Sequence, residues 1–263
     1  MLIKSKDNQK LKLVRSLENK KNRDSQNLYV VENIKLIEEA IKENIRLEFV
    51  LLSEGLINKK DVSELIKRLD DNKIEYHLVD NNLFKEVSST VTSQGIIAVA
   101  KKNDYQMENV INNHRFIVFC DKLQDPGNLG TIIRTADAFG PCVVVLSPCC
   151  VDAYNDKTVR ACAGAIFRVP IIEVSDTLNF IDYLHKNDFI VISTVVDSSK
   201  SFDDINTPQK ICLVIGNEGN GVSNEVKKAS DERITIKMTG QTESLNASIA
   251  AAISIYEIRK KLL

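Results

Sequence analysis

The sequence of 263 residues lacks several features by which whole classes of protein are recognised. No run of about 18 consecutive apolar residues occurs, so we expect no membrane-spanning helix. The first 21 residues contain no apolar stretch of the kind that a secretory signal needs, so we expect no such signal. Six cysteines without any Cys-x-x-Cys spacing, and only three histidines, predict no metal site. The cysteines are expected to be free thiols in a reducing compartment, which indicates a cytoplasmic protein.

The net charge of −1 also conceals an uneven distribution of charge. Residues 1–23 contain eight basic and two acidic side chains. A basic segment of this kind suits a polyanion, whose phosphates give salt-dependent and sequence-independent affinity. The alternative is an ordinary solvated amphipathic helix that turns Leu11, Val14 and Leu17 inward and its lysines outward. The segment alone does not decide between these interpretations.

An apolar fraction of 43% and a charged fraction of 27% indicate a folded, globular chain. Residues 1–100 alternate short strands and helices, with strands predicted at 28–32, 47–53, 74–79 and 95–100. This pattern predicts a small α/β domain. A polar, Asn-rich run at 101–114 is interpreted as the linker to a second domain at 115–263.

The second domain contains continuous apolar runs rather than alternating ones. Strands are predicted at 115–121, 143–146, 169–174, 189–196, 211–216 and 234–238. Helices are predicted in the ranges 125–139, 178–184 and 244–262, and the last is expected to turn inward Leu245, Ile249, Ala252, Ile253 and Tyr256. Apolar strands that alternate with helices predict an α/β fold with a mostly parallel sheet covered on both faces.

Three segments contain more polar residues than packing requires. In the first, Asn128, Thr131, Arg134 and Thr135 share one stripe of a predicted helix, because residues three and four apart lie on the same face. An arginine on that face could bind a phosphate through two nitrogens. Simple exposure to solvent is the alternative.

The second segment is GNEGNGVS at 216–223, which follows an apolar strand. Its glycines allow a ligand to approach the backbone, and ligands of open α/β sheets bind beyond the carboxyl ends of strands. The order of the glycines matches neither the dinucleotide fingerprint nor the Walker loop. Glu218 would repel a phosphate and suits a cationic or hydroxyl-bearing ligand. A glycine-rich turn without function is the alternative.

The third segment, at 234–261, is predicted to run from a strand through a polar loop into the last helix. Ser244 could cap that helix. Asn246 and Ser248, two positions apart, are not explained by capping. Unpaired backbone N–H groups at the helix start could also bind a ligand.

Together, the three segments resemble the SpoU/TrmH branch of the SPOUT-class RNA ribose 2'-O-methyltransferases. The motifs are DPGNLGTIIRTADAFG, LVIGNEGNGVS and IKMTGQTESLNASIAAAI, in the order and spacing of that family, and they cover most of residues 115–262. The resemblance implies a SPOUT-type sheet with a trefoil knot near the C-terminus. It also implies that residues 1–100 form an RNA-binding domain related to a small ribosomal protein, in which the usual Glu-Gly appears as Glu32–Asn33.

The resemblance further implies S-adenosylmethionine as cofactor, RNA as substrate, an obligate homodimer and no metal. The positions that match the family's catalytic residues are Asn128, Arg134, Glu218, Ser244 and Asn246. Those that match its cofactor-binding positions are Gly216, Asn217, Glu218, Gly219, Ile236, Met238, Leu245 and Asn246.

A ribose 2'-hydroxyl is a weak nucleophile at neutral pH, so its proton must be removed or its developing charge stabilised. Arg134 is better suited to anchoring a phosphate and lowering the hydroxyl's pKa than to acting as a base, because a guanidinium stays protonated in proteins. Ribosomal RNA is favoured over tRNA because of the additional N-terminal domain. The alternatives are a tRNA methyltransferase, a catalytically silent RNA-binding protein of the same fold, and an enzyme that binds nucleotide phosphates at residues 216–221.

Overall fold

A computed structural model of the chain describes residues 2–57, 59–90, 93–205 and 210–262. The chain divides into two compact units. The first comprises Met1–Asn103 and Tyr154–Phe167, and the second comprises Asp104–Ala153 and Arg168–Leu263. Within the described ranges, no helix is both long and apolar enough to cross a membrane.

The first unit contains a five-stranded mixed sheet in the order β1-β4-β3-β5-β2. Its strands are β1 (Leu2–Ile3), β2 (Leu28–Glu32), β3 (Leu47–Ser53), β4 (Tyr76–Val79) and β5 (Ile96–Lys101). Strands β1, β4 and β3 pair in parallel, whereas β5 pairs antiparallel with both β3 and β2. Its helices are α1 (Gln9–Ser16), α2 (Lys20–Gln26), α3 (Ile34–Lys42), α4 (Lys60–Asp71) and α5 (Asn81–Val87). The small α/β fold predicted for this part of the chain is confirmed.

The second unit contains a six-stranded sheet in the order β11-β9-β10-β6-β7-β8, and every pair of neighbours is parallel. The strands are β6 (Phe116–Cys120), β7 (Val143–Leu146), β8 (Ile171–Glu173), β9 (Ile190–Thr194), β10 (Ile211–Ile215) and β11 (Glu232–Ile234). Strands β6, β7 and β10 are buried along their whole length, as the continuous apolar runs predict. The trefoil knot stays a prediction.

The remaining helices are α6 (Met107–Asn112), α7 (Pro126–Ala138), α8 (Asp156–Ala161), α9 (Thr177–Lys186), α10 (Asn224–Ala229) and α11 (Ala247–Leu262). Helix α6 lies in the range interpreted as a linker, and its Ile111 is fully buried in the core of the second unit. Because most of the residues around Ile111 are polar, composition alone does not reveal that Ile111 anchors α6 in this core.

Residues 154–167, which include α8, belong to the first unit although they follow β7 in sequence. Tyr154 stacks on Tyr29 of β2, with ring centroids 4.8 Å apart. Gly164 has a φ of +92°, and a Cβ there would lie 3.0 Å from the side chain of Glu39. The expected boundaries at 100 and 115 therefore differ from the observed units, because hydrophobic periodicity does not indicate which sheet a helix covers.

Glu32, at the end of β2, is a buried carboxylate in the first unit. One of its oxygens accepts hydrogen bonds from the hydroxyls of Ser88, Thr90 and Ser93, and the other accepts from the N–H and hydroxyl of Ser89. Burial raises the pKa of Glu32, but these hydrogen bonds outweigh burial and the pKa is lowered overall. Glu32 is therefore ionised at neutral pH.

The next residue, Asn33, adopts a φ of +142° and ψ of 133° and caps α3 by accepting a hydrogen bond from the N–H of Lys35. This backbone conformation favours glycine. The position at which the resembled family has glycine thus requires a glycine-like backbone here as well.

Two expectations about the C-terminal region are wrong in detail. The strand predicted at 234–238 is observed as β11, which ends at Ile234. The N–H of Thr235 donates to the carbonyl of Lys200 rather than to a strand. Ile236 and Met238 line a pocket, so their apolar side chains contribute to that pocket and not to packing within a strand.

The inward face predicted for the last helix is also wrong. Ile249, Ile253 and Tyr256 are 50%, 37% and 48% exposed, and the buried face consists of Ser248, Ala251, Ser254, Ile255 and Ile258. Small residues on this buried face suit close packing on α7, which α11 contacts. The helix is apolar on two faces, so periodicity could not tell which one turns inward.

Part of the charge of the basic N-terminal segment is paired or buried. Leu11, Val14 and Leu17 are buried, as predicted. Lys10, Lys12 and Arg15 form ion pairs with Glu75, Asp7 and Glu86, respectively. Arg23 is buried and donates to the carbonyls of Leu17 and Glu18. Lys4, Lys6 and Lys21 are exposed, and none of them forms an ion pair with another described residue.

Candidate active site

A pocket of about 400 Å³ lies in the second unit, beyond the carboxyl ends of β9 and β10. Residues 194–197, which include the last residue of β9, form one side of the pocket. Residues 215–222, which include the last residue of β10, form another. The third side comes from the C-terminal motif, at positions 235–250. Ligands of parallel α/β sheets bind at this edge, so the location agrees with the general rule.

The loop at 216–222 is closed at its base by backbone contacts. Asn217 and Gly221 exchange two backbone hydrogen bonds of 3.0 and 2.9 Å. A Cβ at Gly216 would lie 2.1 Å from the backbone of Gly221 and Val222, so only glycine fits there. The side chain of Asn217 accepts from the N–H groups of Gly219 and Asn220 and donates to the carbonyl of Lys122. These bonds hold the loop in one shape.

Glu218 is the most highly connected side chain of this loop. Its carboxylate accepts hydrogen bonds from the backbone N–H groups of Gln124 and Asp125, at 3.1 and 2.9 Å, and from Nδ2 of Asn128 at 3.0 Å. Burial raises the pKa of Glu218, but the hydrogen bonds from Asn128 and from the backbone outweigh it and lower the pKa overall. An ionised carboxylate that is already surrounded by donors is a poor general base.

The hydrogen bonds of Glu218 extend to the other two motifs. Because Nδ2 of Asn128 points to Glu218, its Oδ1 is available to accept from Nδ2 of Asn246, at 3.0 Å. The Oδ1 of Asn246 accepts in turn from the N–H groups of Ser248 and Ile249. Glu218, Asn128 and Asn246, which we call the amide chain, thus join all three sequence motifs.

These contacts correct the expectation for the start of the last helix. Asn246, and not Ser244, caps α11, because its side chain accepts from the first N–H groups of that helix. Ser244 is exposed and lines the pocket. Asn246 therefore has the capping role that the sequence suggested for Ser244. The sequence could not distinguish them, because the capping residue can be identified only when the first residue of the helix is known.

The pocket contains most of the residues predicted to bind the cofactor. Those that line it are Gly216, Asn217, Glu218, Gly219, Ile236, Met238 and Leu245, together with Ser244 from the predicted catalytic set. Asn128, which is buried, and Asn246, which is exposed, do not line the pocket and belong to the amide chain. Arg134 is exposed on α7, does not line the pocket and has no hydrogen bond or ion pair to the residues that the structure describes.

Sequence reasoning missed one side of the pocket. Residues 194–197 include the last residue of β9, which lies beside β10 in the sheet. Lys227 and Glu243 were missed as well. The contribution of residues 194–197 could have been predicted, because a strand is predicted at 189–196 and parallel strands have their carboxyl ends at the same edge of a sheet.

The chemistry of the pocket fits a cofactor that is both cationic and partly apolar. Its acidic residues are Asp197, Glu218 and Glu243, against Lys227 as the basic one. This charge suits a sulfonium or an amine and opposes a phosphate. Exposed apolar surface is supplied by Val196, Met238 and Leu245, which are 69%, 38% and 36% exposed.

Comparisons with known proteins agree with this geometry. The sequence profile of the SpoU rRNA Methylase family matches residues 115–256. That of the MRM3-like substrate binding domain matches residues 8–98. The first match covers the range in which the three motifs lie, and the second covers most of residues 1–100.

Named relatives share nearly the whole chain. A 23S rRNA (guanosine(2553)-2'-O)-methyltransferase of Bacillus subtilis, RlmP, is 33% identical over 260 residues, which is 98% of both chains. A putative TrmH family tRNA/rRNA methyltransferase of Staphylococcus epidermidis is 30% identical over 232 residues, covering 86% of this chain and 92% of the relative.

Solved structures agree as well. The AdoMet-bound rRNA methyltransferase of Sinorhizobium meliloti superposes with a TM-score of 0.86 at 26% identity, covering 100% of this chain and 98% of that one. A structure described as an RNA 2'-O ribose methyltransferase superposes with a TM-score of 0.80 at 27% identity and covers 99% of both chains. From the profile match and the relatives, we conclude that the chain belongs to the SpoU rRNA Methylase family.

Proposed function

We propose that the protein transfers a methyl group from S-adenosylmethionine to a ribose 2'-hydroxyl of ribosomal RNA. The observation that supports this most strongly is the amide chain, which joins the three motifs beside one pocket of suitable charge. The Bacillus subtilis relative, which acts on a guanosine of 23S rRNA, supports the choice of RNA.

The cofactor would be held by the glycine loop at 216–219 and by Ile236, Met238 and Leu245. When bound, S-adenosylmethionine supplies an electrophilic methyl group on a cationic sulfur. The acidic side chains of the pocket favour that charge electrostatically. Ser244, whose hydroxyl is exposed at the pocket, is proposed to orient the ribose or the cofactor through a hydrogen bond.

Glu218, Asn128 and Asn246 are proposed to act by positioning. Both carboxylate oxygens of Glu218 accept hydrogen bonds, and both amide atoms of Asn128 and Asn246 are used. The amide chain therefore fixes the second motif and the start of α11 relative to the segment before α7. Positioning of reacting groups can contribute about 7–11 kcal/mol to a reaction barrier.

Arg134 is proposed to bind an RNA phosphate and to lower the pKa of the attacking hydroxyl. Its guanidinium is exposed and is not paired with any described residue, so no internal carboxylate neutralises its charge. Thr131 and Thr135, its neighbours on the polar stripe, donate to carbonyls of their own helix. Of these side chains, Arg134 is the one that remains available to RNA.

The homodimer is proposed to form through the exposed apolar face of α11. Leu245, Ile249, Ile253 and Tyr256 are all at least a third exposed, and Phe139 of α7, 38% exposed, stacks on Tyr256 with ring centroids 5.5 Å apart. A contiguous apolar face of this kind on a folded unit marks an interaction surface. A second copy of the chain is the occupant that we propose, because a two-fold interface can pair the same face with itself.

The dimer is tested by charge substitution on this face. Ile253→Glu should convert the dimer to a monomer in light scattering coupled to size exclusion, because it buries an unpaired charge in the interface. Leu178→Glu on α9, which is 46% exposed, is the matched control and should leave the mass unchanged. A monomeric wild type, or an Ile253→Glu variant that stays dimeric, would contradict the proposal.

We further propose that Arg134 acts at the cofactor pocket of the partner subunit. Arg134→Ala and Asn246→Ala should each be inactive as homodimers. After subunit exchange about half of the dimers are mixed, and each mixed dimer contains one intact site, so about a quarter of the wild-type activity should return. Mixtures that stay inactive after mass spectrometry has confirmed exchange would place Arg134 in its own subunit's site.

The first unit is proposed to recruit RNA, as the match to a substrate binding domain suggests. Lys4, Lys6 and Lys21 have unpaired charges, whereas Lys10 and Lys12 have acidic partners. Replacing the first three by Gln should flatten the salt dependence of RNA binding by about 0.7–0.9 per lost phosphate contact. Lys10→Gln and Lys12→Gln form the paired-lysine control and should change the slope less. Equal slopes in all variants would exclude these lysines from the RNA interface.

The reaction itself is tested with labelled cofactor on 23S rRNA and on tRNA, followed by mapping of 2'-O-methylation in cells without the gene. Incorporation into 23S rRNA is expected. Incorporation into tRNA alone would favour the tRNA alternative. Binding of S-adenosylhomocysteine without transfer to any RNA would indicate a silent RNA-binding protein, and binding of ATP in its place would indicate a nucleotide-phosphate enzyme.

A cytoplasmic location is also proposed. All six cysteines are free thiols, and burial raises the pKa of Cys142 and of Cys162 to about 12. Unreactive buried thiols suit a reducing compartment. Fractionation of cells that express the tagged protein would test the location.

A further inference from the structure

Asp121, directly after β6, is a fully buried acidic residue that neither the motifs nor the pocket includes. Its N–H donates to the carbonyl of Ile215 at 2.8 Å, and its Oδ2 accepts from the N–H of Ser223 at 2.7 Å. Ile215 is the last residue before the glycine loop and Ser223 is the first residue after it. Asp121 therefore contacts both stems of the loop.

The rest of the loop depends on how far apart these stems lie. Asn217 and Gly221 are bonded to each other, and Gly216 packs directly against the backbone of Gly221 and Val222. A small separation of Ile215 from Ser223 would break these contacts first. Asp121 itself has no exposed surface.

The burial of a carboxyl group at this position has a cost that its one side-chain hydrogen bond does not fully offset. Oδ1 of Asp121 has no partner among the described residues, and neither has the hydroxyl of Ser223, although both atoms are buried. An unpaired buried oxygen is unfavourable for folding. The hydrogen bond from the N–H of Ser223 gives the carboxyl group a local role in the fold of the loop.

We propose that Asp121 is a positioning residue for the cofactor pocket, and that it sets the affinity for the cofactor by holding the two stems of the glycine loop together. This inference rests on the proposed assignment of the pocket to S-adenosylmethionine. Asp121 does not line the pocket, and its replacement leaves the hydrogen bonds of Glu218 in place, so its effect should fall on binding of the cofactor and not on the rate of the step at saturation.

The test measures binding of S-adenosylhomocysteine to the full-length protein by calorimetry, together with kcat and KM for the cofactor. Asp121→Ala should raise the Kd and the KM about tenfold and leave kcat within about twofold. Asp121→Asn keeps an oxygen that can accept from Ser223, so it should stay within about threefold of wild type. A kcat that falls while Kd is unchanged would overturn the proposal.

The donor can be removed without touching Asp121. Ser223 has a φ of −63°, which proline also adopts, so Ser223→Pro deletes the N–H without changing this angle. Ser223→Ala keeps the N–H and supplies the baseline for loss of the hydroxyl. Ser223→Pro should weaken binding about as much as Asp121→Ala, and the double variant should lose no more than either single variant. If the losses of affinity in the two single variants add up in the double variant, the proposal is overturned. If Asp121→Ala does not fold, the affinity of Ser223→Pro alone tests the proposal.

A control separates positioning from loss of stability. Ser193 is a fully buried residue of β9 whose hydroxyl bonds to that of Ser230 at 2.6 Å. Ser193→Ala should lower the Tm but leave the Kd unchanged. An equal loss of affinity in Ser193→Ala would reduce the effect of Asp121 to general destabilisation. A wild type that does not bind S-adenosylhomocysteine would instead overturn the cofactor assignment, and with it this inference.

Discussion

Glu32 and Glu218 are both ionised carboxylates surrounded by hydrogen-bond donors, one in each unit. The donors of Glu32 are mostly hydroxyls from a single loop, and its side chain is buried. The donors of Glu218 include the backbone ahead of α7 and the amide of Asn128, and its side chain faces the pocket. A lowered pKa with similar causes therefore accompanies a buried position in one unit and a position at the proposed cofactor pocket in the other.

The comparison predicts the largest effect on catalysis at Glu218. Glu218→Gln retains one acceptor oxygen, so its amide group must face a backbone N–H of Gln124 or Asp125. The resulting shift of the loop should lower the rate of methyl transfer about 100-fold. The Tm should change little because the carboxylate is exposed.

Labelled-cofactor assays and thermal melts measure these two effects. Glu225→Gln is the matched control, since Glu225 is an exposed glutamate of the same unit with a surface ion pair to Lys122. Near-normal turnover in Glu218→Gln would exclude a positioning role for the carboxylate.

Glu32→Gln should show the opposite pattern. Its amide has one acceptor oxygen, so its NH2 group must face the donors of the other carboxylate oxygen, and the free energy of unfolding should fall by about 1–3 kcal/mol. The Kd for S-adenosylhomocysteine should be unchanged. Chemical denaturation measures the first and calorimetry the second. Glu64→Gln, at an exposed position of α4, should cost less than about 0.5 kcal/mol. If both variants lost a similar free energy of unfolding, the hydrogen bonds around Glu32 would contribute no more to stability than an exposed ion pair does.

The stabilising effect of Glu32 should depend on pH in a defined direction. Because the folded-state pKa is lowered, the ionised carboxylate stabilises the protein above the unfolded-state pKa of about 4.3, and this stabilisation is lost as the pH falls through the folded-state value. The difference in unfolding free energy between wild type and Glu32→Gln should be constant from about pH 6 to pH 8 and narrow below about pH 4.3. A difference that grows on acidification would contradict the lowered pKa.

The smallest effect is expected at the residue beside Glu32. Asn33→Gly relieves a backbone conformation that is unfavourable for asparagine but loses a helix cap, so the net stabilisation should be about 1 kcal/mol. Asn44→Gly is the control, because its φ of +55° is one that asparagine tolerates. Chemical denaturation compares the two. Equal changes would show that the φ of +142° is not strained.

Much of the fold could be predicted from the sequence, because buried parallel strands are continuous apolar runs. The strand at 47–53 was predicted with its observed bounds, and the three motifs identified the pocket loop at 216–222. The outward face of α11 was not predictable, since Ile253 and Ile255 are equally apolar and only packing on α7 distinguishes them. The amide chain was not predictable either, because Asn128 and Asn246 are far apart in sequence and the orientation of each amide depends on its partner.

Charge could be predicted from the sequence only in part, as Arg134 and Lys10 show. Arg134 has no partner among the described residues, whereas Lys10 is paired with Glu75. The sequence shows where basic residues are, but only the fold shows which of them remain available to a polyanion. Eight basic residues in the first 23 suggested a strong patch. Ion pairs and the burial of Arg23 reduce that patch, whereas a single arginine on α7 keeps its full charge.

The two separate stretches that build the first unit have a consequence for the order in which the chain folds during synthesis. The unit includes residues up to Phe167, so its core cannot be completed while only the first 103 residues have left the ribosome. By the time α8 emerges, β6, α7 and β7 of the second unit have already been made. Domains usually fold as units from the N-terminus onward. Here the first unit cannot finish folding until α8 has been synthesised, and the surface that α8 covers stays exposed until then. Part of the second unit has been synthesised by that time.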